Sequence, residues 1–334
     1  TGGFSSYVGR PWYATGYWAL RNRPSILIEN RAYAPYEDRV RANHAFLSAL
    51  LAEIAGDPAA LRRAVQAADA RTVARGASDA PPSEIAIAWD LAGSHDTVRW
   101  PVREWYLEPS VALGTPVLGF RPGTTRPIDV PWFHAPEATV TAARPRGYLI
   151  RPGWSRVTER LALHGLRVER LAGEAIVEVE SFRVTDVEHA VSTYQGRSRA
   201  DAEVTVTREP MRFPAGTLWV PADQPGFEIA VQLLEPESPD SLFAWGFLAS
   251  AAEVKEYIEP RVLETWVREV LERDDALRAT WESALEDDAL ATDPAARWLW
   301  WYRRSPWWDA SVDLLPVARS PAPLAVETVP LGGR

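Results

Sequence analysis

The stretch TGYWALRNRPSILIENRAYAPYEDRV, residues 15–40, decides how the beginning of the chain folds. Its apolar run, residues 25–29, predicts a buried strand that ends on a carboxylate, Glu29. A glutamate in this place is costly unless its charge is used, so Glu29 is the first candidate functional residue. From residue types alone it could be a general base, a metal ligand or the ion-pair partner of Arg31 or Arg39.

Two helices are predicted after this strand. Glu37 and Asp38 open the first, where acidic side chains suit the positive end of the helix dipole, and Gly56 ends it. Asp57 and Pro58 supply the N-cap and the first residue of the second helix. This alternation of strand and helix is typical of an α/β fold.

Short strands separated by turn residues dominate the middle of the chain. Charged and apolar residues alternate in several of them, as in half-exposed strands, so we expect a mostly antiparallel β region. The predicted strands are residues 85–91, 98–107, 111–120, 175–182, 204–207, 218–220 and 229–234, with a helix near residues 155–164.

Helical periodicity returns after Ala251 and gives way to a proline-rich tail beyond Pro316, which is predicted to be loose. These changes of pattern predict an α+β fold. They divide the chain into an N-terminal part at residues 1–76, a β-rich part at residues 77–250, and a helical part with its tail at residues 251–334.

The aromatic run near the C-terminus contains Trp298, Trp300, Trp301 and Tyr302. As a functional surface it could stack on sugar rings or hold a partner protein. We favour a structural role, in which the indoles pack against other helices. Because these residues cannot share one helix face, at least one indole should be exposed or lie at an interface.

Composition narrows the functional classes. The chain of 334 residues contains no cysteine, which excludes disulfides, thiolate metal sites and cysteine nucleophiles. Its net charge of −9 argues against a nucleic-acid partner. No apolar run approaches the roughly 18 residues that a membrane span needs. The sequence does not begin with methionine, so we expect it to start within a larger protein, and the compartment stays open.

The sequences TGYWALRNRPSILIEN and APYEDRV together resemble the C-terminal part of the catalytic domain of zinc metallocarboxypeptidases, the carboxypeptidase A-like family, and most of all bacterial members with a long C-terminal extension. In that family a Thr-Gly-Tyr turn and a strand ending in glutamate present the catalytic carboxylate. The resemblance continues downstream in the same order, in YLIRPGW at 148–154, HGL at 164–166, PAGT at 214–217, DQP at 223–225, LLEP at 233–236, DSL at 240–242, EYIEP at 256–260 and YRR at 302–304.

The resemblance implies that residues 1–76 are the end of a catalytic domain and that Glu29 is its general base. In the family this glutamate takes a proton from a zinc-bound water and passes it to the leaving amine. A tyrosine upstream closes over the substrate; Tyr7 is our candidate, with Tyr13 and Tyr17 as rivals, although an aromatic that packs the loop is an equal alternative. The implied reaction is hydrolysis of the C-terminal bond of a peptide or protein, in a periplasmic or secreted enzyme.

The family's zinc ligands are a His-x-x-Glu pair and a later histidine, all N-terminal to the catalytic glutamate. No histidine precedes Glu29, so we assign no metal ligand and expect zinc in the intact protein but not in this fragment, which should be inactive alone. One literal match, His134-Ala135-Pro136-Glu137, lies downstream in the wrong order and is interpreted as a surface or turn histidine. The alternatives are a non-catalytic β-rich binding module and a pseudopeptidase.

Overall fold

The computed structural model describes residues 3–6, 9–77 and 79–331. Its helices are α1 (Ala14–Leu20), α2 (Tyr36–Gly56), α3 (Pro58–Gly76), α4 (Ser155–Leu163), α5 (Phe227–Leu234), α6 (Pro260–Arg273), α7 (Asp275–Ala284), α8 (Asp288–Thr292) and α9 (Pro294–Tyr302). Within the described ranges, none of these helices has the length and apolar character that crossing a bilayer requires.

The described strands form one large sheet and three small ones. They are β1 (Phe4–Ser5), β2 (Glu84–Leu91), β3 (Asp96–Val102), β4 (Trp105–Glu108), β5 (Val117–Phe120), β6 (Arg126–Phe133), β7 (Pro136–Ala143), β8 (Gly147–Ile150), β9 (Glu169–Leu171), β10 (Ala175–His189), β11 (Ala200–Phe213), β12 (Leu218–Pro221), β13 (Leu314–Ser320) and β14 (Thr328–Pro330).

The large sheet has seven strands in the order β11-β10-β13-β8-β12-β9-β14, and every neighbouring pair is antiparallel. The small sheets pair β2 with β7, β4 with β5, and β6 with both β1 and β3. Since helices and a mostly antiparallel sheet occur together, the predicted α+β fold is confirmed.

Strand β8 lies in the middle of the large sheet and is buried on both faces. Tyr148 and Ile150 face the cluster formed with α4 and α5, whereas Leu149 faces a second cluster that contains Trp219. Gly147 is required next to that indole, because a Cβ at this position would lie 2.2 Å from the Trp219 ring. The sheet is therefore a two-sided core rather than a surface.

A network of buried charges connects four elements of this core. The Tyr148 hydroxyl donates to Glu235 Oε1 at 2.7 Å, and Arg319 Nε lies 3.3 Å from the same oxygen. Arg319 Nη1 also pairs with Glu180 at 3.3 Å, and its guanidinium lies over the Phe182 ring. Burial raises the pKa of Glu235, against the opposing charge of Arg319, and raises the pKa of Tyr148 well above its usual value.

This network is only partly satisfied. Glu235 Oε2 and Arg319 Nε are buried with no hydrogen-bond partner, so the contact between Arg319 Nε and Glu235 is an ion pair without hydrogen-bond geometry. The side chains are nearly free of water, with 7% of Arg319 and 1% of Glu235 exposed. Each charge therefore depends on the other to remain in the core.

The predicted helices after the first strand are confirmed as α2 and α3. Asp57 caps α3 by accepting a hydrogen bond from the Ala60 amide at 2.8 Å, and Pro58 is the first helical residue. The C-terminus of α3 packs against the turn after β12. A Cβ at Gly76 would lie 2.1 Å from the Ala222 carbonyl oxygen, so the close approach requires glycine.

Two predictions for the large sheet are wrong. Residues 229–234 were expected to form a strand but belong to α5, an eight-residue helix with six buried residues, which is too short and too apolar for its period to be read from the sequence. The tail beyond Pro316 was expected to be loose, but β13 runs through the centre of the sheet. Pro316 lies where the register between β10 and β13 shifts, a place that tolerates a residue without an N–H.

The C-terminal helices form a separate aromatic core. Trp301 is buried and packs against Trp281 at a ring distance of 5.0 Å, and the Trp300 ring is 4.8 Å from Trp281. Trp298 donates to the Ile258 carbonyl at 3.2 Å. The structural role is thus supported, but the three indoles of α9 are all buried or half-buried, because α6 and α7 cover more than one face of this helix.

We expect Arg319→Met to lower the free energy of unfolding by about 3–5 kcal/mol, because it leaves Glu235 buried without a cation. Arg212→Met is the matched control on the same sheet. Its ion pair with Glu174 is 69% and 56% exposed, so the loss should be below about 1 kcal/mol. Urea denaturation measures the free energy of unfolding of both variants. A loss in Arg319→Met as small as that in Arg212→Met would show that the buried ion pair does not contribute to stability.

Candidate functional site

Glu29 lies on the surface, in an extended segment that pairs with no described strand. The prediction that residues 25–29 form a buried strand is wrong for this structure. Ile26 and Leu27 are 59% and 62% exposed, since the described residues provide neither a neighbouring strand for their backbone nor a core for their side chains. The argument that Glu29 is buried at a cost therefore does not hold, and its role stays a prediction.

The ion-pair interpretation of Glu29 receives no support. Arg31 lies over the Tyr33 and Phe120 rings, and Arg39 lies over the Tyr36 ring. No hydrogen bond or ion pair reaches the Glu29 side chain from anywhere in the described ranges. Its carboxylate is therefore exposed and has no side-chain partner among the described residues.

Two polar anchors fix the ends of the segment that carries Glu29. On one side, Arg23 forms a bidentate pair with Asp69 on α3, at 2.9 and 3.0 Å, and Asn22 donates to the same carboxylate at 3.1 Å. These contacts lower the pKa of Asp69, the Arg23 hydrogen bond most of all. On the other side, Asn30 donates to Asn43 on α2 at 2.6 Å. Glu29 is thus held between two helices.

The segment also rests on α1, whose Thr15 carbonyl accepts a hydrogen bond from Ser25 at 3.4 Å. Gly16 is buried where the preceding loop turns back onto this helix. A Cβ there would lie 2.4 Å from the Gly9 carbonyl oxygen and 2.3 Å from that of Arg10. The Thr-Gly-Tyr sequence is thus the part of a helix on which a loop packs, rather than a turn.

A cavity of about 720 Å³ opens beside this segment, between α1 and the ladder of β2 and β7. Thr15, Gly16 and Leu27 contribute to its wall, whereas Glu29 does not. Glu29 itself is exposed and lies outside this cavity.

The tyrosine candidates have different surroundings. Tyr7 lies outside the described residues, so its role stays a prediction. Tyr17 contacts His164, with its hydroxyl 3.1 Å from Nδ1; burial, with the charges of Arg21 and Arg160, lowers the pKa of this histidine.

His134 is a half-buried histidine of the β region. Its Nε2 lies 2.7 Å from Asp96 Oδ2, and its ring packs against Trp132 at 4.2 Å. Within the described ranges, no three histidine, cysteine, aspartate or glutamate side chains are grouped so that they could hold a metal ion. The described residues therefore do not fit a zinc site.

A second polar cluster joins the loop before α1 to the β-rich part. The guanidinium of Arg199 lies over the Trp12 indole, 4.5 Å from the centre of that ring. The same guanidinium lies 4.8 Å from the centre of the Trp245 ring. Asp240 accepts hydrogen bonds from the Trp245 indole at 2.5 Å and from the Trp12 backbone amide. Arg199 also donates to the Pro239 carbonyl. We call Arg199, Asp240 and Trp245 the tryptophan clamp, because together they hold Trp12.

The clamp contains a buried carboxyl group, Asp240, whose pKa departs clearly from its usual value. Asp240 is 6% exposed, and burial raises its pKa to about 6. The Trp245 hydrogen bond and the charges of Arg199 and Arg10 oppose that rise. Sequence reasoning missed the clamp, since Trp12 and Arg199 lie far in the chain from each other and from Asp240; the DSL match at 240–242 was the signal available.

Comparison with known proteins relates part of the chain to carboxypeptidases. Carboxypeptidase 2 of Trichophyton tonsurans is 32% identical over 122 residues, which cover 36% of this chain and 23% of that protein. Carboxypeptidase 2 of Trichophyton rubrum is 31% identical over the same shares, and probable carboxypeptidase 2 of Arthroderma benhamiae is 31% identical over 35% of this chain and 22% of that protein. The chain thus spans less than a quarter of the length of the curated relatives it matches. No protein-family model and no solved structure matches it.

We expect Asp240→Asn to change how stability depends on pH. The folded pKa of about 6 lies above the unfolded value, so the wild-type protein loses stability as pH rises from about 4 to 6. The variant lacks this loss, so its stability relative to wild type should rise by about 2 kcal/mol between pH 4 and pH 7. Urea denaturation across that range measures it, with the exposed Asp186→Asn as control. A constant difference between Asp240→Asn and wild type would contradict the prediction.

Proposed function

We propose that this chain is part of a metallocarboxypeptidase and that it supplies the catalytic carboxylate, Glu29. The observation that carries the proposal is the relationship to proteins named carboxypeptidase 2. The TGYW and RPSILIEN sequences add the position of the glutamate. The proposed reaction is hydrolysis of the C-terminal bond of a peptide or protein.

In this proposal Glu29 accepts a proton from the attacking water and returns it to the leaving amine. Its surroundings support such a role, because the side chain is exposed and has no competing partner in the described ranges. The anchors at Asp69 and Asn43 restrict the backbone on both sides of it. A general base needs this combination of fixed position and free carboxylate.

We propose that the metal of this reaction is zinc and that its ligands are not among the residues of this chain. The described residues do not fit a zinc site, so we assign no step of the reaction to a metal bound by this chain. Tyr7 is proposed to contact substrate. If the following experiments find no hydrolysis that depends on Glu29, the alternatives are a pseudopeptidase and a non-catalytic β-rich binding module.

The product of the complete reading frame that encodes this chain tests the role of Glu29. We expect Glu29→Gln to lower kcat/KM for C-terminal hydrolysis by about 10³-fold, because an amide cannot accept the proton, and to leave bound zinc unchanged. Glu53→Gln, an exposed substitution on α2, is the control and should keep wild-type turnover. Near-normal activity in Glu29→Gln would refute the assignment of the general base.

Metal analysis of the purified 334-residue chain gives an independent test. We expect far less than one zinc per chain after dialysis against a weak chelator, and no peptide hydrolysis, because no suitable ligand group exists in the described ranges. The product of the complete reading frame should retain one zinc under the same treatment. One tightly bound zinc in the short chain would overturn this account of the metal site.

A further inference from the structure

The tryptophan clamp joins parts of the chain that are distant in sequence. Trp12 precedes α1, Arg199 lies just before β11, and Trp245 follows α5. Both the backbone and the side chain of Trp12 are held, the amide by Asp240 and the indole by Arg199. Arg10 lies over the same indole at 5.2 Å. These contacts fix the N-terminal segment to the β-rich part at one residue.

Neighbouring aromatic rings extend this contact. The Trp12 ring is 5.8 Å from Trp245 in an edge-to-face arrangement and 6.1 Å from Tyr194. Tyr194 in turn forms a side-chain hydrogen bond with Tyr13. A guanidinium between indoles, shielded from water on several sides, interacts more strongly than one at an open surface.

Trp12 is connected to the segment that carries Glu29 through contacts along α1. Trp12 belongs to the loop that folds back on Gly16 of α1, where carbonyl groups approach so closely that a Cβ would collide with them. The next residue of α1 towards the N-terminus, Thr15, accepts the hydrogen bond of Ser25 at the beginning of the segment that carries Glu29. A displacement of Trp12 would therefore move α1 and the end of that segment.

We infer that the clamp is a positioning element for the active site, in which Arg199, Asp240 and Trp245 fix residues 9–20 and thereby set the affinity for substrate. This inference rests on the proposed function, and it gives the β-rich part a role in catalysis without a catalytic residue. The clamp residues contact Trp12 and not the reacting groups, so they are positioning residues.

Amide hydrogen exchange in the 334-residue chain tests the clamp without any need for activity. We expect Arg199→Gln to speed exchange across residues 9–20 by about tenfold or more, because the segment loses its cation between the two indoles. Arg197→Gln is the matched control. Arg197 lies two residues from Arg199 on the same loop, and its guanidinium is 4.4 Å from the centre of the Phe247 ring. In this variant, exchange in residues 9–20 should stay unchanged.

Substitutions of Trp12 separate a specific contact from general destabilisation. Trp12→Phe keeps an aromatic face for Arg199 and should exchange nearly as slowly as wild type, whereas Trp12→Ala should match Arg199→Gln. The double variant Trp12→Ala/Arg199→Gln should exchange no faster than Trp12→Ala, because both changes remove the same interaction. Unchanged exchange in Arg199→Gln, or additive effects in the double variant, would overturn the clamp.

Kinetics of the product of the complete reading frame test the consequence for substrate. Arg199→Gln should raise KM about tenfold and leave kcat within about twofold, because the chemistry at Glu29 is intact and only the position of the segment changes. Faster exchange with an unchanged KM would overturn the positioning role and leave the peptidase assignment standing. A wild-type product without peptidase activity would refute the proposed function and the effect on substrate, while the exchange data would still decide the clamp.

Discussion

The guanidinium of Arg319 is the charge around which the large sheet is assembled. It contacts Glu235 after α5 and Glu180 on β10, and the Tyr148 hydroxyl of β8 completes the same network. Removing water from these groups is costly, so the sheet is stable only when all of the elements that carry them are in place together. Tyr148 and Glu235 belong to the YLIRPGW and LLEP sequences, so these two motifs meet inside the core of the sheet.

The relation between that core and the candidate base is indirect. Among the described residues Glu29 makes no contact with the large sheet, but α3 and the end of α1 contact residues that flank it. Gly76 at the end of α3 lies against Ala222, and Arg21 donates to the His164 carbonyl at 2.5 Å. These two contacts connect the β-rich part to the N-terminal segment that carries the candidate base.

The sequence predicted local structure correctly where the interacting groups lie within one element. The cap at Asp57 and Pro58 predicted the start of α3 because the interacting groups lie within three residues. The same reasoning failed for α5, whose apolar residues face protein on nearly all sides, and for β13, where Pro316 suggested a loose tail although a register shift accommodates it. It also failed for the strand ending at Glu29, since a strand needs a partner. The clamp was beyond such reasoning, because Trp12 and Arg199 meet only in the folded chain.

The central position of β13 has a consequence for biosynthesis. The strands on either side of it, β10 and β8, are translated well over a hundred residues earlier, yet they have no direct pairing with each other and wait for this late segment to lie between them. On the ribosome, the large sheet therefore cannot close until residue 320 has left the exit tunnel, and during that interval two apolar strand edges are available to chaperones or to neighbouring nascent chains. A premature stop codon upstream of Leu314 would remove an interior strand of the sheet together with the edge strand β14, so the truncated product would be a substrate for quality-control proteases rather than a shortened native protein.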